Sequence, residues 1–173
     1  MNRRSIFTLS TITVLGLAFL PGSVVAQQKS LKDQLAGTWT LVSWEQAFKD
    51  GTKRQDFGTN PKGVASFEAN GHFFVMLARP DLPKIASTDR TKVTPQEAQA
   101  ITIGSIAYFG TYTVDEPAKT IVLKMDASTY ANQLSVPQKR VITALTADEL
   151  KLTNATPTAG DGSSINFVFK RAK

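Results

Sequence analysis

The sequence lacks cysteine altogether and contains a single histidine, His72. Without cysteine, the chain has no disulfide-stapled scaffold, no thiolate metal site and no cysteine nucleophile. With one histidine, a histidine-rich metal centre is excluded, and a Ser-His-Asp triad would have to use His72 itself. That residue follows a predicted turn, where an exposed polar side chain is the usual finding. The sequence therefore predicts no metal site, no cofactor and no assignable catalytic residue.

The sequence also lacks a stripe of one charge sign. The net charge is +6, but the basic residues are scattered singly or in pairs such as Lys53-Arg54 and Lys139-Arg140. A nucleic-acid-binding surface needs basic residues clustered along the path of a phosphate backbone. We therefore expect no nucleic-acid partner, and solubility explains the charge.

A long apolar run occurs only at the start of the chain. The basic segment Met1–Arg4 precedes the apolar segment Ile6–Leu20, and Val24–Ala26 has the small-residue pattern that a signal peptidase cleaves. We interpret residues 1–26 as a signal peptide and residues 27–173 as one exported domain, periplasmic or secreted. A retained anchor would need about 20 consecutive apolar residues, so no stable membrane span is expected after cleavage. The paired arginines leave the twin-arginine export route as an alternative.

The remaining sequence is typical of short strands joined by turns. Asn70-Gly71 is a strong hairpin signal, because both central residues of a type I′ turn have positive φ. It joins predicted strands over Gly63–Ala69 and His72–Arg79. One face of this hairpin carries Phe73, Val75 and Leu77 with Glu68 and Arg79, and the other carries Phe67, Phe74 and Met76. We predict that the Phe73 face points inward.

A second hairpin is predicted around Asp115–Ala118. Its register places Val114 opposite Lys119, Tyr112 opposite Ile121, Gly110 opposite Leu123 and Tyr108 opposite Met125. Threonine and lysine side chains occupy the other face, so the apolar set is expected to point inward.

A third turn, at Ala147-Asp148, joins predicted strands over Lys139–Thr146 and Glu149–Asn154, and a last strand follows the Gly160–Gly162 loop. The predicted inward side chains are Val141, Thr143, Leu145, Leu150, Leu152, Ile165, Phe167 and Phe169. This register directs Arg140, otherwise a candidate anchor for a ligand's carboxylate, outward.

A helical segment interrupts the strands. Thr94 as a capping residue, proline at the first helical position and Glu97 two residues later predict a helix over Pro95–Ile103. The whole interruption spans residues 81–104. Long connections of this kind often serve as lids or binding loops, and packing on the outside of the sheet is the alternative. As a lid, the helix would cover a barrel opening with Ala98, Ile101 and Ile103.

Successive hairpins with one apolar face favour an all-β fold. We predict an antiparallel up-and-down barrel of about eight strands, with a short N-terminal helix at Leu31–Leu35 and one helical insertion. Closing the sheet removes its exposed edges. A barrel of this size is either filled by its own side chains or holds one small ligand.

Two resemblances support this fold. Gly37-Thr38-Trp39 resembles the lipocalin signature, which implies that Trp39 closes the narrow end of the barrel and that Lys170 or Arg171 packs over it. Trp44 lies an odd number of residues from Trp39 and is expected on the other face or near the rim. A longer resemblance covers nearly all of residues 27–173. The matching segments, Leu35–Trp44, Pro61–Gly63, Ala69–Gly71, Tyr108–Asp115 and Ala147–Thr153, are similar to the bacterial lipocalin-like domain family.

The predicted interior indicates a binding protein for a small apolar or amphipathic molecule. The expected ligand contacts are Phe73, Val75, Leu77, Tyr108, Tyr112, Leu123, Met125 and Phe167. An isomerase or cyclase is the alternative, with Tyr108, Tyr112 or His72 as acid or base. A third possibility is an interaction module whose barrel is filled by its own side chains.

Overall fold

The computed structural model of the chain describes residues 29–157 and 164–173. The predicted signal peptide and the Gly160–Gly162 loop lie outside these residues. The strands are β1 (Gly37–Ala47), β2 (Lys53–Arg54), β3 (Lys62–Phe67), β4 (His72–Ala78), β5 (Ser105–Asp115), β6 (Thr120–Ser128), β7 (Gln138–Leu145), β8 (Glu149–Asn154) and β9 (Ser164–Arg171). The α-helices are α1 (Leu31–Leu35) and α2 (Pro95–Gly104), and short 3-10 turns occur at Arg90–Lys92 and Ala131–Leu134.

The strands close into an eight-stranded antiparallel barrel with one extra strand. Strands β3 to β9 pair in sequence order, and β1 completes the ring by pairing with both β3 and β9. The two-residue strand β2 is the extra one and pairs with Gln46 and Ala47 near the end of β1. The up-and-down barrel predicted from the sequence is confirmed, with its short N-terminal helix and its helical insertion.

The hairpin between β3 and β4 differs from the predicted type I′ turn. Only Gly71 has a positive φ there, at 92°, and its backbone N donates to the Glu68 carbonyl at 2.9 Å. This is a three-residue connection with a glycine bulge, a turn type that adds one residue to the loop. Phe67, not Glu68, therefore lies opposite Phe73. The predicted turn type is wrong, whereas the inward Phe73 face is confirmed by its burial.

The hairpin between β5 and β6 keeps the predicted face in a different register. Val114 pairs with Ile121 and Tyr112 with Leu123, two residues away from the prediction. The residues that connect the two strands are 116–119 instead of the predicted 115–118, and the last of them, Lys119, has a φ of 48°. Because side chains alternate with a period of two, a two-residue shift preserves the inward face. The inward set Tyr108, Tyr112, Leu123 and Met125 is accordingly buried.

In β7 the predicted face is wrong as far as Thr143, whereas Leu145 packs against the core as predicted. The pairing with β8 shifts register between Ile142 and Ala144, which leaves Thr143 as an extra residue. A bulge of one residue reverses the alternation for the part of the strand that precedes it. Arg140 and Ile142 are therefore buried, and Val141 and Thr143 are exposed. The predicted outward direction of Arg140 is corrected to inward.

A second bulge changes the position of Trp44. The pairing of β1 with β9 shifts register between Leu41 and Ser43, at Val42. Trp39 and Leu41 point inward before the bulge, and Trp44 points inward after it. Of the two predicted positions for Trp44, the other face is therefore wrong: its side chain is buried inside the barrel and borders the cavity described below.

Helix α2 begins as the sequence predicts. The Thr94 hydroxyl accepts the Glu97 backbone N–H at 3.3 Å, and the Glu97 carboxylate accepts the Thr94 backbone N–H at 2.8 Å. This reciprocal capping box satisfies two donors that a helix start otherwise leaves unpaired. Over residues 29–157 and 164–173, no helix has both the length and the apolar character that crossing a membrane requires.

Candidate functional site

One end of the barrel is closed by Trp39. Its indole is completely buried, and Nε1 donates to the Leu35 carbonyl at the end of α1 over 2.8 Å. The guanidinium of Arg171, on the last strand, lies 4.0 Å from the centroid of the Trp39 ring. Arg171 also donates to the Ala36 and Gln34 carbonyls at 3.0 and 2.7 Å. Because these bonds join β9 to the end of α1, the helix is fixed across this end.

The opposite end of the barrel contains a cavity of about 510 Å³. This volume lies within the range of roughly 300–1,000 Å³ typical of small-molecule sites. Its wall combines the second half of β1 with the starts of β5, β7 and β9 and the ends of β4 and β8. Six barrel strands thus contribute to one site, and no short sequence motif encodes it.

Most of the cavity wall is apolar. Among the described residues, its aromatic members are Trp44, Phe57, Tyr108, Tyr130 and Phe167, and its aliphatic members are Leu77, Ile101, Ile103, Ile106 and Ile165. The rings of Trp44 and Phe57 are in contact, with centroids 5.1 Å apart and planes inclined by 47°. A ligand that covers these side chains removes apolar surface from water, which favours binding.

The described part of the wall also contains polar and charged side chains, and two of its charges form a pair. The polar and charged residues are Arg54, Asp56, Thr102, Ser105, Thr129, Gln133, Arg140 and Asn154. Arg54 makes an ion pair with Asp56 and donates to the Gln46 amide oxygen at 3.2 Å. Arg140 is also part of the wall and is 4% exposed. Within the described ranges, no three His, Asp or Glu side chains come together as a metal site would require.

The predicted contact residues divide into three groups. Leu77, Tyr108 and Phe167 line the cavity. Val75 and Leu123 line a smaller space of about 20 Å³ deeper in the barrel. Phe73, Tyr112 and Met125 line neither space, although all three are buried.

The three candidate acid-base residues lie in different places. Tyr108 lines the cavity, whereas His72 is exposed on the outside of β4. Tyr112 lies toward the closed end, where its hydroxyl donates to the Glu68 carbonyl at 2.9 Å. Burial, followed by the nearby charges of Asp33 and Glu68, raises the pKa of Tyr112. The fold therefore does not bring Tyr108, Tyr112 and His72 into one site.

The helical insertion forms part of the cavity mouth. Ile101, Thr102 and Ile103 line the cavity, and Ile103 is 60% exposed at the rim. The two carboxylate oxygens of Glu97 accept the backbone N–H groups of Ala86 and Thr94, each at 2.8 Å. These hydrogen bonds lower the pKa of Glu97 and join the preceding loop to α2. The C-terminal turn of α2 thus lies at the barrel opening, with Ile101 and Ile103 on the cavity and Ala98 away from it.

Sequence reasoning missed most of the mouth of the cavity. Trp44 and Arg140 were assigned to the wrong face because bulges intervene. Phe57, Gln133 and Asn154 come from a loop, a 3-10 turn and a strand end, where strand periodicity gives no signal. The apolar pattern of α2 was the one available indication for this region, through Ile101 and Ile103.

Comparison with protein families matches residues 36–171 to the lipocalin-like domain. The match extends from the residue before β1 to the end of β9. The comparison with curated proteins gives no match.

Comparison with solved structures finds similarity at low sequence identity. A lipocalin-like protein from Bacteroides uniformis is 15% identical with a TM-score of 0.43, over 80% of this chain and 99% of the other. A protein from the same organism, solved by NMR, is 19% identical with a TM-score of 0.42, over 82% of this chain and 92% of the other. A redesigned beta barrel is 17% identical with a TM-score of 0.42, over 84% of this chain and 100% of the other.

Proposed function

The chain belongs to the lipocalin-like domain family, and we propose that it binds a small apolar or amphipathic molecule inside its barrel. The observation that supports this proposal is the cavity of about 510 Å³ with its mainly hydrophobic wall. Sites of this size and composition, with a few placed polar groups, are typical of small-molecule binding.

The distribution of side chains along the barrel favours this proposal over a filled structural barrel. At the closed end, Trp39 and Leu150 are completely buried. At the other end, inward residues such as Trp44 and Ile165 border the cavity. A barrel that served only as a scaffold would gain stability by filling this space, because unfilled apolar volume loses packing contacts.

Retention of a neutral lipophilic dye tests the proposal. N-phenyl-1-naphthylamine fluoresces strongly in apolar surroundings, so its emission should rise on mixing with the purified protein. Ile106 lines the cavity and is only partly buried, and Ile106→Trp should reduce dye affinity by occupying the mouth. Val141→Trp is the matched control, because Val141 is exposed on the outside of β7. Absence of dye binding, or equal binding by both variants, would contradict the proposal.

We also propose that the domain acts outside the cytoplasm. The support is sequence alone: a basic start, the apolar segment Ile6–Leu20 and the cleavable pattern Val24–Ala26. The expected result is a mature protein that begins at Gln27 when it is isolated from the periplasm or the medium of a bacterial host. N-terminal sequencing of each cell fraction tests this, and an uncleaved cytoplasmic chain would contradict it.

A further inference from the structure

Arg140 is an unexpected residue to find in an apolar cavity wall. It lies on β7 between the buried Gln138 and Ile142, and across the sheet it pairs with Ile121, which is completely buried. A guanidinium among such neighbours has lost most of its hydration. A partner of opposite charge normally offsets this cost.

The described residues do not supply that partner. Arg140 takes part in none of their ion pairs. Its one hydrogen bond within them is from Nη1 to the Lys139 carbonyl, at 2.8 Å. A guanidinium has five N–H donors. In the same part of the chain, every fully buried side-chain nitrogen or oxygen has a hydrogen-bond partner. The N–H donors of Arg140 that have no partner are therefore still accessible. They are accessible from the cavity, because that is the space that Arg140 lines.

The charges of the wall indicate the sign and size of the ligand's charge. Among the described residues, the charged side chains that line the cavity are Arg54, Asp56 and Arg140. Arg54 and Asp56 neutralise each other as an ion pair. One positive charge therefore remains, in a region of low dielectric where a single negative charge is attracted strongly. A dianion would leave an unbalanced negative charge, and a cation would be repelled.

The position of Arg140 sets the orientation of the ligand. Arg140 also lines the smaller space deeper in the barrel, and both spaces share Leu77, Tyr108 and Phe167. The charge thus lies at the inner end of the cavity, whereas Ile103 and Tyr130 are exposed at the outer end. We infer that the ligand is an amphiphile with one carboxylate, bound with the carboxylate on Arg140 and the apolar chain toward the mouth. A planar carboxylate matches the guanidinium because it can accept two parallel N–H bonds.

This inference rests on the proposed function and can be tested separately from it. Three probes of equal chain length, dodecanoate, dodecan-1-ol and dodecylamine, are titrated by calorimetry into the protein purified from its host. Dodecanoate should bind about ten- to a hundredfold more tightly than dodecan-1-ol, the range expected for hydrogen bonds to a charged group. Dodecylamine should bind most weakly.

Two substitutions assign the preference to one side chain. Arg140→Gln should remove the preference for dodecanoate and leave the affinity for dodecan-1-ol unchanged or higher. Lys139→Gln is the matched control, because it removes one positive charge at the neighbouring, exposed position. It should retain the preference for dodecanoate. Arg140→Lys keeps the charge without the planar fork and should give an intermediate affinity for dodecanoate.

The outcomes separate the two claims. If dodecanoate and dodecan-1-ol bind equally to the unmodified protein, the carboxylate inference is wrong and cavity binding stands. The same holds if Arg140→Gln keeps the full preference. If neither probe nor the neutral dye binds, the proposed function itself fails. Because the comparison of the three probes on the unmodified protein decides the inference, a variant that does not fold leaves the test intact.

Discussion

Replacement of Trp39 by phenylalanine tests the account of the closed end. The indole Nε1 donates to the Leu35 carbonyl at 2.8 Å, and the Arg171 guanidinium lies 4.0 Å from the ring centroid. Trp39→Phe removes the hydrogen bond and leaves that carbonyl without this partner, which costs about 1–3 kcal/mol. A weaker cation–π contact adds about 0.5–1 kcal/mol. We therefore expect the free energy of unfolding to fall by about 1.5–4 kcal/mol.

Trp44 provides the matched control for this measurement. Its indole is also buried, but it borders the cavity, and no hydrogen bond of its ring nitrogen is found within the described residues. Trp44→Phe should cost about 1 kcal/mol, because it removes apolar contact alone. Equilibrium urea denaturation of both variants gives the two changes. Equal losses, or a loss below that of Trp44→Phe, would refute the closing role of Trp39.

Three further perturbations follow from the geometry. Glu97 has a lowered pKa, so its contribution to folding is present above the ordinary carboxyl pKa and is lost as pH falls through the lowered value. The protection factor of the Ala86 amide, which is the factor by which its hydrogen exchange is slower than that of an unstructured amide at the same pH, should therefore fall in acid, and Glu97→Gln should remove this pH dependence. Tyr112 has a raised pKa, so the unfolding free energy should decrease as pH rises above about 10, and Tyr112→Phe should abolish this decrease in alkaline denaturation curves. Gly110→Ala should destabilise the barrel by about 1–3 kcal/mol in thermal unfolding, because its Cβ would overlap the Lys124 carbonyl; an unchanged Tm would contradict the β5–β6 packing.

The barrel was predictable from the sequence because its strands alternate regularly. Phe73, Val75 and Leu77 recur with a period of two, and burying that face is the largest favourable term available to such a strand. A two-residue error in the β5–β6 register did not matter, since it preserved the face on which Tyr108 and Tyr112 lie. Periodicity therefore carries information about faces more reliably than about pairing.

The cavity was less predictable because two bulges reverse that periodicity. The extra residues are Val42 and Thr143, and neither is a glycine or proline that would mark a bulge in the sequence. Bulges bend and twist strands, and curvature of this kind is a property of the closed sheet, not of a local segment. Trp44 follows the bulge at Val42, and Arg140 precedes the bulge at Thr143. Counting alternate residues across each bulge therefore gave the wrong face for both side chains.

The central claim is that a small molecule binds in the cavity remote from Trp39, and methyl NMR tests it most directly. In a titration with N-phenyl-1-naphthylamine, methyl signals of Leu77, Ile106 and Ile165 should shift, because these residues line the cavity. Signals of Leu35 and Leu150, which are completely buried and line neither space, should stay unchanged. Shifts confined to the outer face, for instance at Val42 and Val141, or no shifts at saturating dye, would contradict the claim.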